Sequence, residues 1–347
     1  MTKLQLINLT KHYSGAPEPS VKDFNLTVEP GELVAFLGPS GCGKTTVLKM
    51  ISGLLLPTEG DVLFNDESVI EIPPEKREVS MVFQKPLLFP HMNVGENIGF
   101  GLRMRKQKKD EIKVKVNNML ELVRLKGYAD RKSTELSGGQ EQRISLARGL
   151  VIEPRIFLLD EPLSALDASL RIEMRELIRK IQRHMKVTTI CVTHDQEEAV
   201  MLADKIALMF DGKLQQYGVP EVFYERPKTK RIAEFFGCTN FVKGTQKGRT
   251  VATKLGAYTL DQLDDDNREV YLVVRPEAVE VSDGADSLKA KVKSRIFMGT
   301  HVRYIIDLFG KEYQITLESA TLYKEGDIIS FRLLKERLWA VPYDDNI

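Results

Sequence analysis

Apolar runs and amphipathic segments alternate along the first half of the chain. Residues 33–37 form a continuous apolar run that ends at Gly38, as expected for a strand that is buried on both faces. Residues 156–159 and 189–193 predict two more buried strands, and a helix is predicted from residue 44 to about residue 54. Between the two later strands, apolar residues recur at helical spacing and predict one face of an amphipathic helix: Leu170, Met174, Leu177, Ile178, Ile181 and Met185. This order of elements predicts an α/β fold with a parallel sheet.

Two parts of the chain depart from this alternation. From about residue 110 to residue 139, apolar residues lie among Lys and Glu, and we predict a helical insertion within a helical subdomain of about residues 90–150. Residues 239–249 are polar and contain glycine, and short β-rich runs follow: 270–274, 289–297, 301–308, 312–317 and 328–333. In one of these runs, apolar residues occupy every second position, which is the period of a half-buried strand: Val302, Tyr304, Ile306 and Leu308. We therefore predict a first domain over residues 1–236 and a smaller, all-β, barrel-like domain over residues 237–347.

Composition and charge limit the kind of protein. The 347 residues predict two or three folding units, and the 42% hydrophobic and 29% charged content is ordinary for a globular protein. A net charge of +1 provides no bulk attraction for nucleic acid. Cys42, Cys191 and Cys238 match neither a disulfide framework nor a metal site, which favours a reducing compartment. The sequence has no apolar signal segment and no run of about 18 apolar residues, so we expect any membrane-spanning helices to belong to another polypeptide.

A glycine-rich loop between the first buried strand and its helix is typical of nucleotide-binding proteins. Its glycines allow backbone N–H groups to surround phosphate oxygens, and the following helix N-terminus adds partial positive charge. Lys44 is predicted to reach the β- and γ-phosphates of ATP, and Thr45 to bind Mg²⁺. A turn that binds nothing is the alternative, but every position of the pattern is matched. The predicted ATP-binding residues are Gly38, Pro39, Ser40, Gly41, Cys42, Gly43, Lys44, Thr45 and Thr46.

Two carboxylates follow the buried run at residues 156–159. Ligands of parallel sheets bind beyond the carboxyl ends of the strands, where Asp160 and Glu161 lie. Asp160 is predicted to hold Mg²⁺, and Glu161 to act as the general base on the attacking water. A strand that ends in an acidic turn is the alternative, which the neighbouring phosphate loop makes less favourable.

Residues 136–140, with the sequence Leu-Ser-Gly-Gly-Gln, resemble the signature of ATP-binding-cassette ATPases, and a Gln-Arg pair follows at residues 142–143 as in that family. The resemblance implies a P-loop NTPase fold, with a mixed sheet core and a helical subdomain. Ser137, Gly138 and Gly139, followed by Gln140, predict a second anion-binding nest at a helix N-terminus; a plain helix cap is the alternative. In the family, this nest meets the phosphate loop of another subunit, which implies a head-to-tail homodimer that encloses two ATP molecules.

Four single residues also resemble elements of the family. Gln84 is similar to the glutamine that touches Mg²⁺ and senses the membrane partner. Asp167 ends a segment, residues 164–167, that resembles the loop that links the two sites of the family's dimer. His194 resembles the switch histidine, whose imidazole stabilises the transition state beside the γ-phosphate. Tyr13 resembles the aromatic residue that stacks on adenine. A structural histidine and an ordinary core or surface tyrosine are the alternatives for the last two.

The cysteine in the phosphate loop has two interpretations. Cys42 either fills a small position that is typical of the family, or acts as a redox sensor, because a helix N-terminus lowers the pKa of a thiol. We favour the first interpretation.

The resemblance extends over nearly the whole chain and implies a transport function. Residues 84–94 are similar to the importer segment that receives the permease, although residues 85–87 depart from the usual pattern. Residues 274–277 and the β-rich tail resemble the oligonucleotide/oligosaccharide-binding-type (TOBE) domain of importer ATPases. The resemblance implies a peripheral subunit on the cytoplasmic face of a prokaryotic membrane, with permease subunits and an extracytoplasmic solute-binding protein as partners. The short tail favours ferric iron, a polyamine or an oxyanion as the solute, with a sugar as the alternative.

A second class of cassette ATPase acts on ribosomes or DNA. Those proteins typically have two cassettes, long coiled-coil inserts or zinc modules, none of which this sequence contains. We therefore expect no nucleic-acid partner. A third interpretation, in which the tail binds a regulatory metabolite or oxyanion, is compatible with the transport function.

Overall fold

The computed structural model describes residues 1–261, 263–284, 286–319 and 323–343. The chain divides into two units, Met1–Pro220 and Glu221–Ile347. The last four residues of the predicted second domain, 344–347, lie outside the described residues. None of the helices in the described ranges is long and apolar enough to cross a membrane.

The first unit contains a four-stranded sheet and a six-stranded sheet, and helices connect several of their strands. Its strands are β1 (Leu4–Lys11), β2 (Val21–Val28), β3 (Leu33–Leu37), β4 (Glu59–Phe64), β5 (Glu67–Ser68), β6 (Val79–Val82), β7 (Ile156–Asp160), β8 (Thr188–Thr193), β9 (Lys205–Phe210) and β10 (Lys213–Gly218). Its helices are α1 (Lys44–Ser52), α2 (Val94–Met104), α3 (Lys109–Leu122), α4 (Gly138–Leu150), α5 (Ala168–Met185) and α6 (Gln196–Leu202). Short 3₁₀ helices lie at Pro74–Lys76 and Ser133–Glu135.

The six-stranded sheet positions the candidate site. Its order is β10-β9-β3-β8-β7-β6, and all neighbours are parallel except the β9–β10 pair at one edge. Strand β3 is buried along its whole length and pairs with β8 on one side and with β9 on the other. Val192 of β8 is opposite Phe36 of β3 and Asp160 of β7. The carboxyl ends of these three strands therefore lie at the same end of the sheet. The other sheet is antiparallel, in the order β2-β1-β4-β5.

The second unit has two five-stranded antiparallel sheets. Their orders are β13-β12-β11-β14-β20 and β15-β19-β16-β17-β18, and one apolar cluster with residues from both sheets forms the core. Two short helices, α7 (Pro220–Glu225) and α8 (Lys230–Phe235), precede the sheets. The strands are β11 (Asn240–Gly248), β12 (Thr250–Thr253), β13 (Gly256–Thr259), β14 (Asp266–Val274), β15 (Val279–Val281), β16 (Leu288–Phe297), β17 (His301–Leu308), β18 (Lys311–Glu318), β19 (Ile328–Leu333) and β20 (Leu338–Pro342), with a 3₁₀ helix at Lys335–Arg337.

The predicted elements of the α/β core are confirmed with small shifts at their ends. The strands at 33–37, 156–159 and 189–193 are present as β3, β7 and β8, and the amphipathic helix is α5. Helix α1 ends at Ser52 rather than near residue 54, because Gly53 adopts a left-handed conformation that ends the helix. The predicted helical stretch is divided among α2, α3 and α4, with turns and one 3₁₀ helix in residues 123–137.

Two segments differ from the sequence-based interpretation. The polar stretch at residues 239–249 is mostly strand β11, whose Gln246 is fully buried and donates hydrogen bonds to the carbonyls of Gly248 and Asp264. The division into units falls after Pro220 rather than after residue 236. In the second unit, the buried Arg275 donates hydrogen bonds to the carbonyls of Tyr224 and Phe236, which ties the helical segment to β14.

Candidate active site

The loop between β3 and α1 has a conformation that requires glycine at two positions. Gly38 and Gly43 have φ angles of 153° and 100°. A Cβ atom would collide with the carbonyl oxygen of Met209 at Gly38 and with that of Ser20 at Gly43. Gly41, at the exposed tip of the loop, also has a positive φ of 82° but has open space around it. The loop therefore packs its backbone against two other segments of the same chain so closely that only glycine fits at these positions.

The Lys44 ammonium group lies beneath this loop. The residue is 5% exposed, and its Nζ atom donates hydrogen bonds of 2.8 Å to the carbonyl oxygens of Gly38 and Pro39. The Cys42 thiol is also buried, 3.7 Å from Lys44 Nζ. Burial raises the pKa of Cys42, and the nearby Lys44 charge only partly opposes this effect. The low thiol pKa that a redox sensor requires is therefore not provided here. Pro39 and Ser40 are exposed, and Thr46 is half-buried in the first turn of α1.

The first turn of α1 contacts the end of β7. Thr45 Oγ1 donates a hydrogen bond of 3.0 Å to Asp160 Oδ1. Burial raises the pKa of Asp160, whereas the Thr45 hydrogen bond and the charges of Lys49 and Lys44 lower it. A hydroxyl and a carboxylate oxygen side by side form a donor set that suits Mg²⁺. Within the described residues, no group of three or more His, Cys, Asp and Glu side chains is arranged to hold a metal. Thr45 Oγ1 and Asp160 Oδ1 could therefore supply only part of the oxygen ligands that Mg²⁺ requires.

Glu161 and His194 lie side by side at the carboxyl ends of β7 and β8. Glu161 Oε1 is 3.3 Å from His194 Nδ1, and 24% of the glutamate side chain is exposed against 52% of the histidine side chain. The backbone N–H of Glu161 donates to the Val192 carbonyl at 3.1 Å, which joins β7 to β8 just before these residues. Glu161 has a left-handed φ of 48°, which is unusual for a glutamate and is frequent at functional sites.

A hydrogen-bonded link joins Gln84 to this pair. Gln84 Nε2 donates to Ser164 Oγ at 3.1 Å, and Ser164 Oγ donates to the Glu161 carbonyl at 2.9 Å. Asp167 caps helix α5, because its Oδ1 atom accepts a 2.9 Å hydrogen bond from the backbone N–H of Leu170. Ser164 was not among the predicted site residues, although it begins the segment at residues 164–167 that resembles the family's loop between two sites.

The residues of the second predicted nest are at the N-terminus of α4. Ser137 is the N-cap residue, and its backbone N–H donates to Gln140 Oε1 at 3.0 Å. Gln140 Nε2 donates to the Tyr128 hydroxyl at 3.4 Å. Ser137 and Gly138 are exposed, whereas Gly139 is buried. In the part of the chain that the structure describes, no hydrogen bond or ion pair joins residues 137–140 to the loop at residues 38–45.

Tyr13 follows strand β1 and is 42% exposed. The Lys11 ammonium group lies 5.6 Å from the centre of its ring and donates a hydrogen bond to the Leu56 carbonyl at 2.8 Å. Across the described ranges, no hydrogen bond joins Tyr13 to residues 38–45. An accessible aromatic ring with a cation near one face has the form of a stacking platform.

The comparisons with known proteins agree with this geometry. Residues 21–164 match the ABC transporter family model, and residues 272–341 match the TOBE domain model. The spermidine/putrescine import ATP-binding protein PotA of Borreliella afzelii is 41% identical over 333 residues, which cover 95% of each chain. The Fe(3+) ions import ATP-binding protein FbpC of Fusobacterium nucleatum is 41% identical over 306 residues, which cover 86% of this chain and 82% of the relative.

A solved structure shows the same fold. The dimeric structure of the ATP-binding cassette MJ0796, in a post-hydrolysis state bound to ADP and Pi, has a TM-score of 0.57 and 30% identity. The match covers 62% of this chain and 98% of that one. The chain belongs to the ATP-binding-cassette transporter family, as an ATP-binding and ATP-hydrolysing subunit that has a TOBE domain. The predicted fold class is confirmed, with a mixed sheet and a helical insertion in the cassette and two antiparallel β-sheets that follow the short helices α7 and α8.

Proposed function

We propose that this chain is the subunit that hydrolyses ATP with Mg²⁺ to drive import of a small solute through a separate permease, and that it acts as a homodimer. The observation that carries the proposal is that two contacting pairs of side chains lie beyond the carboxyl ends of the parallel strands. Thr45 contacts Asp160, and Glu161 lies beside His194. Phosphoryl transfer requires mainly positioning and charge stabilisation, which such an arrangement supplies.

In this proposal, the loop between β3 and α1 binds the phosphate tail. Its backbone N–H groups and the N-terminus of α1 face the phosphate oxygens. Lys44 exchanges the carbonyl oxygens of Gly38 and Pro39 for oxygens of the β- and γ-phosphates. Thr45, Asp160 and Gln84 would hold Mg²⁺, which neutralises negative charge on the transferring phosphoryl group.

Hydrolysis is assigned to the Glu161 and His194 pair. The Glu161 carboxylate accepts a proton from the attacking water as a general base. His194, which lies 3.3 Å from that carboxylate, orients it and stabilises charge near the γ-phosphate. Tyr13 provides an exposed ring on which the adenine base stacks.

The homodimer is proposed because one chain carries two separate phosphate-binding half-sites. Ser137 and Gly138 are exposed, and among the described residues no hydrogen bond joins them to the phosphate loop of their own chain. In a head-to-tail dimer, each nest would complete the site of the partner, with Asp167 in the loop between the two sites. Support comes from the solved cassette at 30% identity, which is dimeric.

Permease subunits are proposed as the membrane partner, and an extracytoplasmic solute-binding protein as an indirect one. The relatives that match over 82–96% of their own length are named import ATP-binding proteins. We place the permease contact at residues 84–94, where Leu87 is 60% exposed and the Arg148 guanidinium donates to the carbonyls of Pro86 and Leu87. The working location is then the cytoplasmic face of the membrane.

The ATPase rate of two variants tests the proposal. Glu161→Gln is expected to bind ATP but to lose at least about 100-fold in kcat, since the general base is removed. Ser137→Arg is expected to keep ATP affinity and to lose turnover, because it fills the nest that the partner subunit needs. Parental turnover in the first variant would contradict the base assignment, and parental turnover in the second would contradict the shared site.

We propose a polyamine as the imported solute, with ferric iron as the second candidate. Support for the first comes from relatives named for spermidine and putrescine, at 41–43% identity. Support for the second is a relative at 41% identity that is named for Fe(3+) ions. Labelled spermidine and ferric iron uptake should be compared in cells that carry the chain with its cognate permease, with the Glu161→Gln variant as control. Uptake of iron but not of spermidine would reverse the preference.

A further inference from the structure

The carboxyl group of Glu198 is buried on helix α6, and the proposed mechanism does not use it. Only 5% of Glu198 is exposed. Glutamate is rarely buried unless it is hydrogen-bonded or paired. Its Oε2 atom accepts a 2.6 Å hydrogen bond from the hydroxyl of Thr193, the last residue of β8. The buried carboxyl group is thus joined to the residue that directly precedes His194.

Two more hydrogen bonds involve the residue that follows His194. The backbone N–H of Asp195 donates to Thr193 Oγ1 at 3.0 Å. The backbone N–H of Glu198 donates to Asp195 Oδ1 at 3.1 Å. Thr193, Asp195 and Glu198 therefore form a closed set of three hydrogen bonds around the backbone of His194. None of these bonds involves the imidazole ring, so the set acts only on the backbone that carries it.

This restraint on the backbone is important because little restrains the imidazole ring directly. Half of the His194 side chain is exposed, and among the described residues its imidazole has one polar contact, with Glu161 at 3.3 Å. A displacement of about 1 Å in a catalytic group can reduce a rate by about 100-fold. The position of the ring beside Glu161 therefore depends on the conformation of residues 193–195.

We propose that Glu198 and Thr193 are positioning residues for His194. The buried carboxyl group accepts the Thr193 hydroxyl, and this bond fixes the end of β8 so that the imidazole lies beside Glu161. The inference rests on the proposed role of His194 in hydrolysis. The neighbouring Glu197 provides a contrast, since 73% of its side chain is exposed and it pairs with Arg175 at 3.3 Å.

Steady-state ATPase kinetics of the purified full chain test this inference. Thr193→Val and Glu198→Ala each remove the hydrogen bond between the two side chains, and Thr193→Val also removes the acceptor of the Asp195 N–H. We expect each variant to lower kcat by about 10- to 100-fold, with KM for ATP changed by less than about 3-fold. Thr193→Ser and Glu198→Gln keep a hydroxyl donor and a carbonyl acceptor, and we expect both to stay within about 3-fold of the parental kcat. The control Glu197→Ala is expected to have the parental kcat.

The double variant Thr193→Val/Glu198→Ala separates a shared bond from two independent effects. Because both changes remove the same hydrogen bond, we expect the double variant to lose little more than the worse single variant. Losses that multiply, or a parental kcat in Thr193→Val, would overturn the inference. Thr193→Val is nearly isosteric, so it provides the decisive result even if Glu198→Ala does not fold. Equilibrium binding of a fluorescent ATP analogue is expected to be unchanged in every folded variant.

A parallel His194→Ala variant separates the two levels of the argument. A parental kcat in His194→Ala would contradict the proposed role of the histidine. A low kcat in His194→Ala together with parental values in Thr193→Val and Glu198→Ala would overturn only the positioning of His194 by the buried carboxyl group.

Discussion

At the scale of single residues, Cys42 shows how the surroundings of a side chain decide its chemistry. The thiol lies at the N-terminal side of α1, which by itself lowers a thiol pKa. It is nevertheless only 5% exposed, and burial raises its pKa more than the adjacent Lys44 lowers it. The thiolate is the reactive species, so this cysteine is less reactive than its position along the chain indicates.

We expect iodoacetamide to modify Cys42 slowly in the native protein at neutral pH. The raised pKa leaves little thiolate at neutral pH, and the rate should increase as pH rises toward that pKa. Site-resolved mass spectrometry measures the rate, with the same chain in urea as the control. Modification of native Cys42 at the rate of the unfolded chain would show that the thiol is neither buried nor raised in pKa.

The residue types of the site could be predicted from sequence, but several of their contacts could not. Lys44, Asp160 and Glu161 belong to short motifs whose spacing reflects a strand end or a helix start. The link through Ser164 depends on the approach of segments that are 80 residues apart, from Gln84 to Ser164. The burial of the Glu198 carboxyl is likewise a tertiary property.

At the scale of elements, strands with continuous or alternating apolar residues could be predicted from the sequence, and strands without such a pattern could not. Strand β3 is apolar at each of its five positions, and it lies in the centre of a parallel sheet. Strand β1 has a bulge where Asn8 takes a left-handed φ of 48°, which interrupts the alternation of buried positions. Strand β11 buries Gln246 where an apolar residue would be expected, so its sequence lacks the apolar alternation that predicts a strand.

Arg77 provides a test of how α1 and its loop are held in place. This buried arginine is 2% exposed and donates to the carbonyls of Met50 and Ile51 at the end of α1, and to those of Ile70 and Ile72. We expect Arg77→Met to lower the free energy of unfolding of the first unit by about 3 kcal/mol, because a buried acceptor without a donor costs about 1–3 kcal/mol.

Urea denaturation followed by circular dichroism measures this difference. Lys76→Met is the matched control, since Lys76 is exposed and adjacent, and a change below about 0.5 kcal/mol is expected for it. Equal stabilities of the two variants would show that the hydrogen bonds of Arg77 do not hold the end of α1.

At the scale of the whole molecule, the sequence pattern predicts two domains with a boundary after residue 236, whereas the structure divides into two compact units after Pro220. Helices α7 and α8 follow the α/β core without a polar linker, so nothing in their sequence assigns them to the second unit. The contacts of Arg275 with Tyr224 and Phe236 make that assignment. The proposed pairing of two chains is a property of the same scale, because Ser137 is exposed and has no hydrogen bond to residues 38–45 among the described residues.

The ATP-dependent mass of the Glu161→Gln variant in solution tests the shared site most directly. Slow hydrolysis keeps ATP bound, so light scattering with ATP and Mg²⁺ should give twice the monomer mass, whereas the variant without ATP should be smaller on average. The double variant Glu161→Gln/Ser137→Arg should bind ATP and show no such increase. An ATP-bound Glu161→Gln protein that stays monomeric, or a double variant that dimerises equally with ATP, would contradict a site that is completed by the partner subunit.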